Sequence, residues 1–116
     1  MSQKTVIFAF RGDPLCFVHV LLNSLDLYQR GQEGRIILEG EAVTLVEKMS
    51  QPGHFLNPLY HKAKNLELFE GACRACAAKL KATAAVEAEN IPLIGDMSGH
   101  PSMGDFMAKG YTIITF

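Results

Sequence analysis

The chain has 116 residues, 48% of them hydrophobic and 20% charged, which suits one compact domain and leaves too little chain for two adequate cores. Eleven Lys and Arg against twelve Asp and Glu give a formal charge of −1. There is no global field to gather nucleic acid or acidic lipid, so neither is expected as a partner. Met1 to Lys4 leads directly into an apolar run of five residues, Val6 to Phe10, too short for a secretion signal or a membrane span. Three cysteines, an odd number with no export signal, argue against a disulfide scaffold and for a reducing compartment; the cytoplasm is expected.

Val6 to Phe10 is a continuous β-branched and aromatic run, the pattern of a strand buried on both faces in a parallel sheet. It ends at Arg11-Gly12-Asp13-Pro14, where Asp13 suits a helix N-cap and Pro14 the first helical position. Leu15, Val18, Leu21, Leu22, Leu25 and Tyr28 then recur at helical spacing as one buried stripe, and Gly31 stops the helix. Arg35 to Leu38 reads as the second strand. Ala42, Leu45, Val46 and Met49 keep helical spacing until Gln51-Pro52-Gly53 breaks it. This βαβα opening predicts a layered α/β fold.

The middle, His54 to His61, mixes loop signals with apolar residues before a short helix capped by Asn57. Leu66 to Ala72 is the third strand, weak in propensity because of Glu67, Glu70 and Gly71. Arg74 to Asn90 is rich in Ala, Lys and Glu and predicts two short helical pieces meeting near position 83. Ile91 to Ile94 is a fourth strand, Gly95 to Gly99 a loop, Pro101 to Lys109 a short helix ended by Gly110, and Tyr111 to Phe116 a fifth strand. No repeat, linker or low-complexity tract divides residues 1–116, so they read as a single domain.

Cys73-Arg74-Ala75-Cys76 is a C-x-x-C at the passage from a predicted strand to a predicted helix, which puts its thiols near the carboxyl edge of the sheet, where open α/β folds bind ligands. The helix N-terminus, Arg74 and Lys79 would all favour thiolate. Three chemistries fit the pair: a dithiol redox couple, a persulfide carrier working mainly through one thiol, or half of a metal site. Buried cysteines can also be inert small hydrophobes, the reading given to Cys16 within the first helix. A zinc site calls for a second pair of close ligands, whereas His19, His54, His61 and His100 stand singly; no metal is expected.

His100 and Ser98 lie in the loop after the fourth strand, where a histidine facing the cysteines would hold a proton and stabilise thiolate. Alternatively, His100 caps the helix that Pro101 begins. Glu39 and Glu41, like Glu87 and Glu89, fall on turns or exposed segments and read as solvated. Neither a dinucleotide nor a P-loop glycine pattern occurs, and no cofactor is expected.

The segment Gly71 to Leu80 around the two cysteines, the loop Gly95 to Pro101 and the final Gly110 to Phe116, taken in this order, resemble the DsrE/DsrF-like group of small proteins. The resemblance spans the chain and is strongest in its C-terminal half. It implies an α/β/α layered fold with a central, mostly parallel sheet, homo- or hetero-oligomers, and in some members a cysteine persulfide that passes sulfur between partner proteins. By order of elements the family's sulfur-carrying cysteine falls on Cys76, with Cys73 three residues earlier. Many relatives carry one cysteine there, so the C-x-x-C departs from the simplest pattern. On this reading Cys76 accepts a sulfane sulfur from a donor protein and passes it to an acceptor, and Cys73 resolves the persulfide. Two alternatives are a non-catalytic oligomeric module that uses Phe55, Leu56, Leu59 and Tyr60 as its contact surface, and a thiol-disulfide oxidoreductase.

Overall fold

The computed structural model describes residues 3–116; Met1 and Ser2, at the head of the stretch read for a leader, lie outside the described residues. Strand β1 (Lys4–Ala9) leads to helix α1 (Pro14–Gln29) and strand β2 (Glu33–Leu38). A 3-10 turn (Gly40–Thr44) runs into α2 (Leu45–Met49), and α3 (Asn57–Asn65) precedes β3 (Phe69–Cys73). Helices α4 (Arg74–Lys79) and α5 (Thr83–Ala88), strand β4 (Leu93–Ile94), helix α6 (Met103–Ala108) and strand β5 (Thr112–Thr115) complete the chain. The five strands form one sheet in the order β4-β3-β2-β1-β5, every neighbouring pair parallel.

A parallel crossover is right-handed, so three steps in one direction, from β1 to β4, lay their helices on one face of the sheet. There Ile7, Ala9, Ile36 and Leu38 pack against Phe17, Val20 and Leu21 of α1, Val46 and Met49 of α2, Tyr60 and Ala63 of α3, and Val86 of α5. The return from β4 to β5, beyond β1, places α6 on the opposite face, where Phe106 packs on Val6, Phe8 and Ile37. The result is the expected three-layer α/β/α arrangement around a parallel sheet. Among the described residues no helix is long and apolar enough to cross a membrane.

Local signals placed most boundaries. Asp13 Oδ1 accepts the Leu15 N–H at 2.9 Å and Pro14 opens α1, as their chemistry requires. Three assignments are corrected. The buried face of α1 is Phe17, Val20, Leu21, Ser24 and Leu25, and Leu15 and Leu22 are 70% and 48% exposed. Small Ser24 is satisfied inside because its hydroxyl donates to the Gly34 carbonyl of β2, and with Phe17, Val20, Leu21 and Leu25 packed on the sheet Leu15 faces outward. Asn57 is the first residue of α3 rather than its cap, and its amide donates to the Met49 carbonyl at 2.8 Å. Leu56 and Tyr60 are fully buried and Leu59 packs against the core, so of the four residues read as a contact surface only Phe55 is exposed.

Strand β3 starts three residues later than expected because Glu67 adopts φ 59°, turning the chain between α3 and the strand. Beyond β3 the chain passes to the α1 face, whereas beyond β4 it passes to the α6 face. The segments that leave these two paired strands therefore part to opposite faces beyond Cys73 and Ile94, the kind of crevice in which parallel sheets hold ligands.

Candidate functional site

Four side chains converge at that crevice from the ends of three strands. Glu39 directly follows β2, Cys73 is the last residue of β3, Cys76 lies in the first turn of α4, and His100 belongs to the loop after β4. Cys73 is the N-cap of α4, with extended backbone, and its Sγ accepts the Cys76 N–H at 3.4 Å. The His100 position is set by a two-residue hairpin: Met97 and His100 exchange both backbone hydrogen bonds, at 2.8 and 2.9 Å, around Ser98 (φ 50°) and Gly99 (φ 93°). Positive φ at both central residues is what such a turn demands, and glycine meets it without strain. The Gly99 carbonyl then accepts the Ala75 N–H at 2.9 Å, fastening the hairpin to the start of α4.

His100 Nδ1 stands 3.0 Å from Cys73 Sγ, 4.0 Å from Cys76 Sγ and 3.8 Å from Glu39 Oε1. One donor atom from each of the four residues lies within 4.8 Å of every other. Glu39 is only 7% exposed, Cys73 is fully buried, Cys76 is half-buried, and the His100 side chain is 44% exposed, so the group opens to solvent on the side of Cys76 and His100. Burial raises the Glu39 carboxyl above its ordinary value, an effect that hydrogen bonding to the Cys73 thiol and the His100 ring offset in part. Burial likewise pushes the Cys73 thiol up to about 12, and the neighbouring Cys76 and Glu39 add to that rise.

The expected cysteine–histidine neighbourhood is therefore present, but the thiolate-favouring environment is not found at Cys73. Helix α4 has only six residues, and Arg74 lies across Gly95, where an added Cβ would meet its guanidinium at 2.9 Å. His100 does not cap α6: Ser102 does, its hydroxyl accepting the Asp105 N–H at 3.1 Å, so the helix starts at Met103 rather than Pro101. Ser98 is an exposed turn residue, His19 and His61 are exposed on α1 and α3, and half-buried His54 accepts the Leu56 N–H. Cys16 is half-buried in α1, apart from the four-residue group.

Glu39 is the member that sequence reasoning missed, since a carboxylate after a strand reads as part of a solvated turn. Its signal was positional: it directly follows the buried run Ile36-Ile37-Leu38, level with the carboxyl edge that Cys73 also reaches. Glu89 is likewise not a free surface acid; its carboxylate accepts from the Tyr60 hydroxyl at 2.6 Å and pairs with Lys64 at 3.2 Å.

The two thiols should differ sharply toward an alkylating reagent. Its burial and raised pKa leave Cys73 with far less thiolate at pH 8 than an ordinary cysteine holds. Iodoacetamide is expected to label Cys76 and spare Cys73 in the folded protein, with Cys73 labelling rising only well above the pH at which an ordinary thiol reacts. Peptide mapping after timed quenching checks this, and equal labelling at pH 8 would contradict it.

No protein-family model matches the sequence. The chain is 32% identical over 97 residues to the uncharacterized protein MJ0733 of Methanocaldococcus jannaschii, an alignment covering 84% of this chain and 77% of that one. The chain belongs to the family of that archaeal protein. An uncharacterized protein of Archaeoglobus fulgidus is 35% identical over 51 residues, covering 44% of this chain and 84% of its own. Among solved structures, the conserved protein of unknown function BT1422 from Bacteroides thetaiotaomicron matches with a TM-score of 0.64 over 97% of this chain and 95% of that one, at 17% identity. At that identity the likeness shows a shared fold alone.

Proposed function

We propose that the protein carries sulfane sulfur as a persulfide on Cys76, as its resemblance to DsrE/DsrF-like proteins implies. The observation that carries this reading is the asymmetry of the pair: Cys76 is the half-buried thiol on the open side, while Cys73 is buried and strongly disposed to stay protonated. A carrier needs one accessible sulfur, and the fold distinguishes one.

In the loading step the Cys76 sulfur attacks the outer sulfur of a donor protein's persulfide. The donor's S–S bond breaks, and the donor cysteine leaves with that electron pair. His100, 4.0 Å from Cys76 Sγ, takes the Cys76 proton, which passes to the departing donor thiolate. Nothing is oxidised overall, and unloading onto an acceptor thiol is the same exchange in reverse. Cys73 supports the site as the cap of α4 and a neighbour of Cys76, and need not form a disulfide.

Incubating reduced, metal-free protein with inorganic polysulfide is expected to add a DTT-reversible mass of one sulfur atom that maps to Cys76. Cys76→Ser should abolish the gain, and His100→Ala should slow it by roughly 10²-fold or more. Absence of any gain at either thiol sinks the proposal.

A further inference from the structure

A sulfur carrier has no need of a buried acid beside its thiols, yet Glu39 closes the group. Among the described residues its one ion-pair partner is His100 at 3.8 Å, which is cationic only when protonated. A carboxylate, two thiols and an imidazole face one another within 4.8 Å, which is the mixed sulfur, nitrogen and oxygen donor set that zinc-class ions take. We infer that Glu39, Cys73, Cys76 and His100 form a four-donor site for a borderline-soft divalent metal of the zinc class.

The spacing fits. With Zn–S near 2.3 Å and Zn–N and Zn–O near 2.0–2.2 Å, tetrahedral geometry sets donors about 3.3–3.8 Å apart. The separations of 3.0, 3.8 and 4.0 Å from His100 Nδ1 bracket that range and the remaining pairs lie within 4.8 Å, so side-chain shifts of roughly an ångström would centre an ion. The donors come from the ends of β2, β3 and β4 and are held by backbone: the Cys73 cap, the Met97–His100 hairpin and the Ala75–Gly99 hydrogen bond. Two sulfur donors and an imidazole select zinc-class ions over magnesium or calcium, which take six or more oxygens. Binding is not a redox step: the two thiols release two protons, the neutral ring offers its Nδ1 lone pair, and the ion with two thiolates and one carboxylate carries a net charge of −1. The partly exposed His100 leaves a path for the ion.

This inference goes beyond sulfur carriage and does not rest on it, although metal and persulfide would compete for the same Cys76 sulfur. Reduced, chelator-treated protein is to be titrated anaerobically with Zn²⁺ and with Co²⁺. One ion per chain is expected, with a Co²⁺ spectrum showing intense tetrahedral d–d bands and thiolate-to-cobalt charge transfer. Glu39→Gln and His100→Ala should each weaken Zn²⁺ binding by more than the roughly 10–100-fold that loss of an outer-shell partner costs. Circular dichroism melts identify any variant that fails to fold; His100→Ala, in a partly exposed loop, backs up the buried Glu39→Gln. No saturation at one equivalent, or unchanged affinity in both variants, overturns the inference. Polysulfide loading of metal-free protein reads the carrier proposal separately, so either can fail alone; Zn²⁺ at one equivalent should block that loading and the alkylation of Cys76.

Discussion

Phe8→Ala is expected to cost the fold about 3–5 kcal/mol, the usual range for emptying a buried aromatic site. Phe8 is fully buried in the interior strand β1, on the face that α6 covers. It meets Phe106 edge-on with ring centroids 5.7 Å apart, and Phe106 in turn meets Tyr111 at 5.5 Å. The opposite face is lined by helices from three crossovers, so a cavity there has many neighbours able to close in. Here one six-residue helix provides the cover, and removing Phe8 takes away both its apolar support and an aromatic pairing worth about 0.5–1.5 kcal/mol. Against a total stability of about 5–15 kcal/mol, this is a large fraction. Urea unfolding of the two proteins measures it, and a loss below about 1 kcal/mol would show that α6 is not held through Phe8.

Gly71→Val should cost the fold less than Phe8→Ala, but it should also reach the site. Gly71 lies within β3, where an added Cβ would stand 2.3 and 2.7 Å from Ile94 side-chain carbons and 3.0 Å from the Pro92 carbonyl oxygen. The Ile94 side chain can rotate away in part, but the Pro92 carbonyl is backbone and accepts the Ala72 N–H at 2.8 Å. Strand β4 has two residues and is joined to the sheet by β3 alone, so relief of the clash displaces β4 and with it the loop carrying His100. A cost of about 1–3 kcal/mol is expected from overpacking. The same variant should lose Zn²⁺ affinity while its two cysteines remain. Wild-type stability and affinity together would show that β4 gives way without moving the loop.

Where a local chemical rule decides the conformation, the chain could be read directly. Asp13-Pro14 marked the start of α1, the buried runs marked β1 and β2, and the Ala-rich stretch after Cys73 marked two short helices that separate at Leu80 to Ala82. Reading failed where a contact distant in sequence decides. The rotation of α1 is a choice between two overlapping apolar stripes that both have helical spacing, and the docking of Phe17, Val20, Leu21 and Leu25 on the sheet, with the Ser24 hydroxyl reaching the Gly34 carbonyl, settles it. The burial of Leu56 and Tyr60 follows from the docking of α3 on the sheet, and Tyr60 reaches Glu89, 29 residues on, to satisfy its hydroxyl.

The cysteine pair shows the same division. By itself the sequence determined that residues 73 and 76 bring two thiols to a strand-to-helix passage at the carboxyl edge of an α/β sheet, because strand and helix periodicity and the C-x-x-C spacing are local properties. Only the tertiary structure decided which thiol is accessible, and that Glu39 and His100 stand beside both. Those facts depend on strand order: β2, β3 and β4 lie side by side, and their carboxyl ends bring residues 34 and 27 positions away from Cys73 within a few ångströms of it. Residue spacing places Glu39, Cys73 and His100 at strand ends but does not say which ends are neighbours, and the four-donor group therefore became visible as a group only in the folded chain.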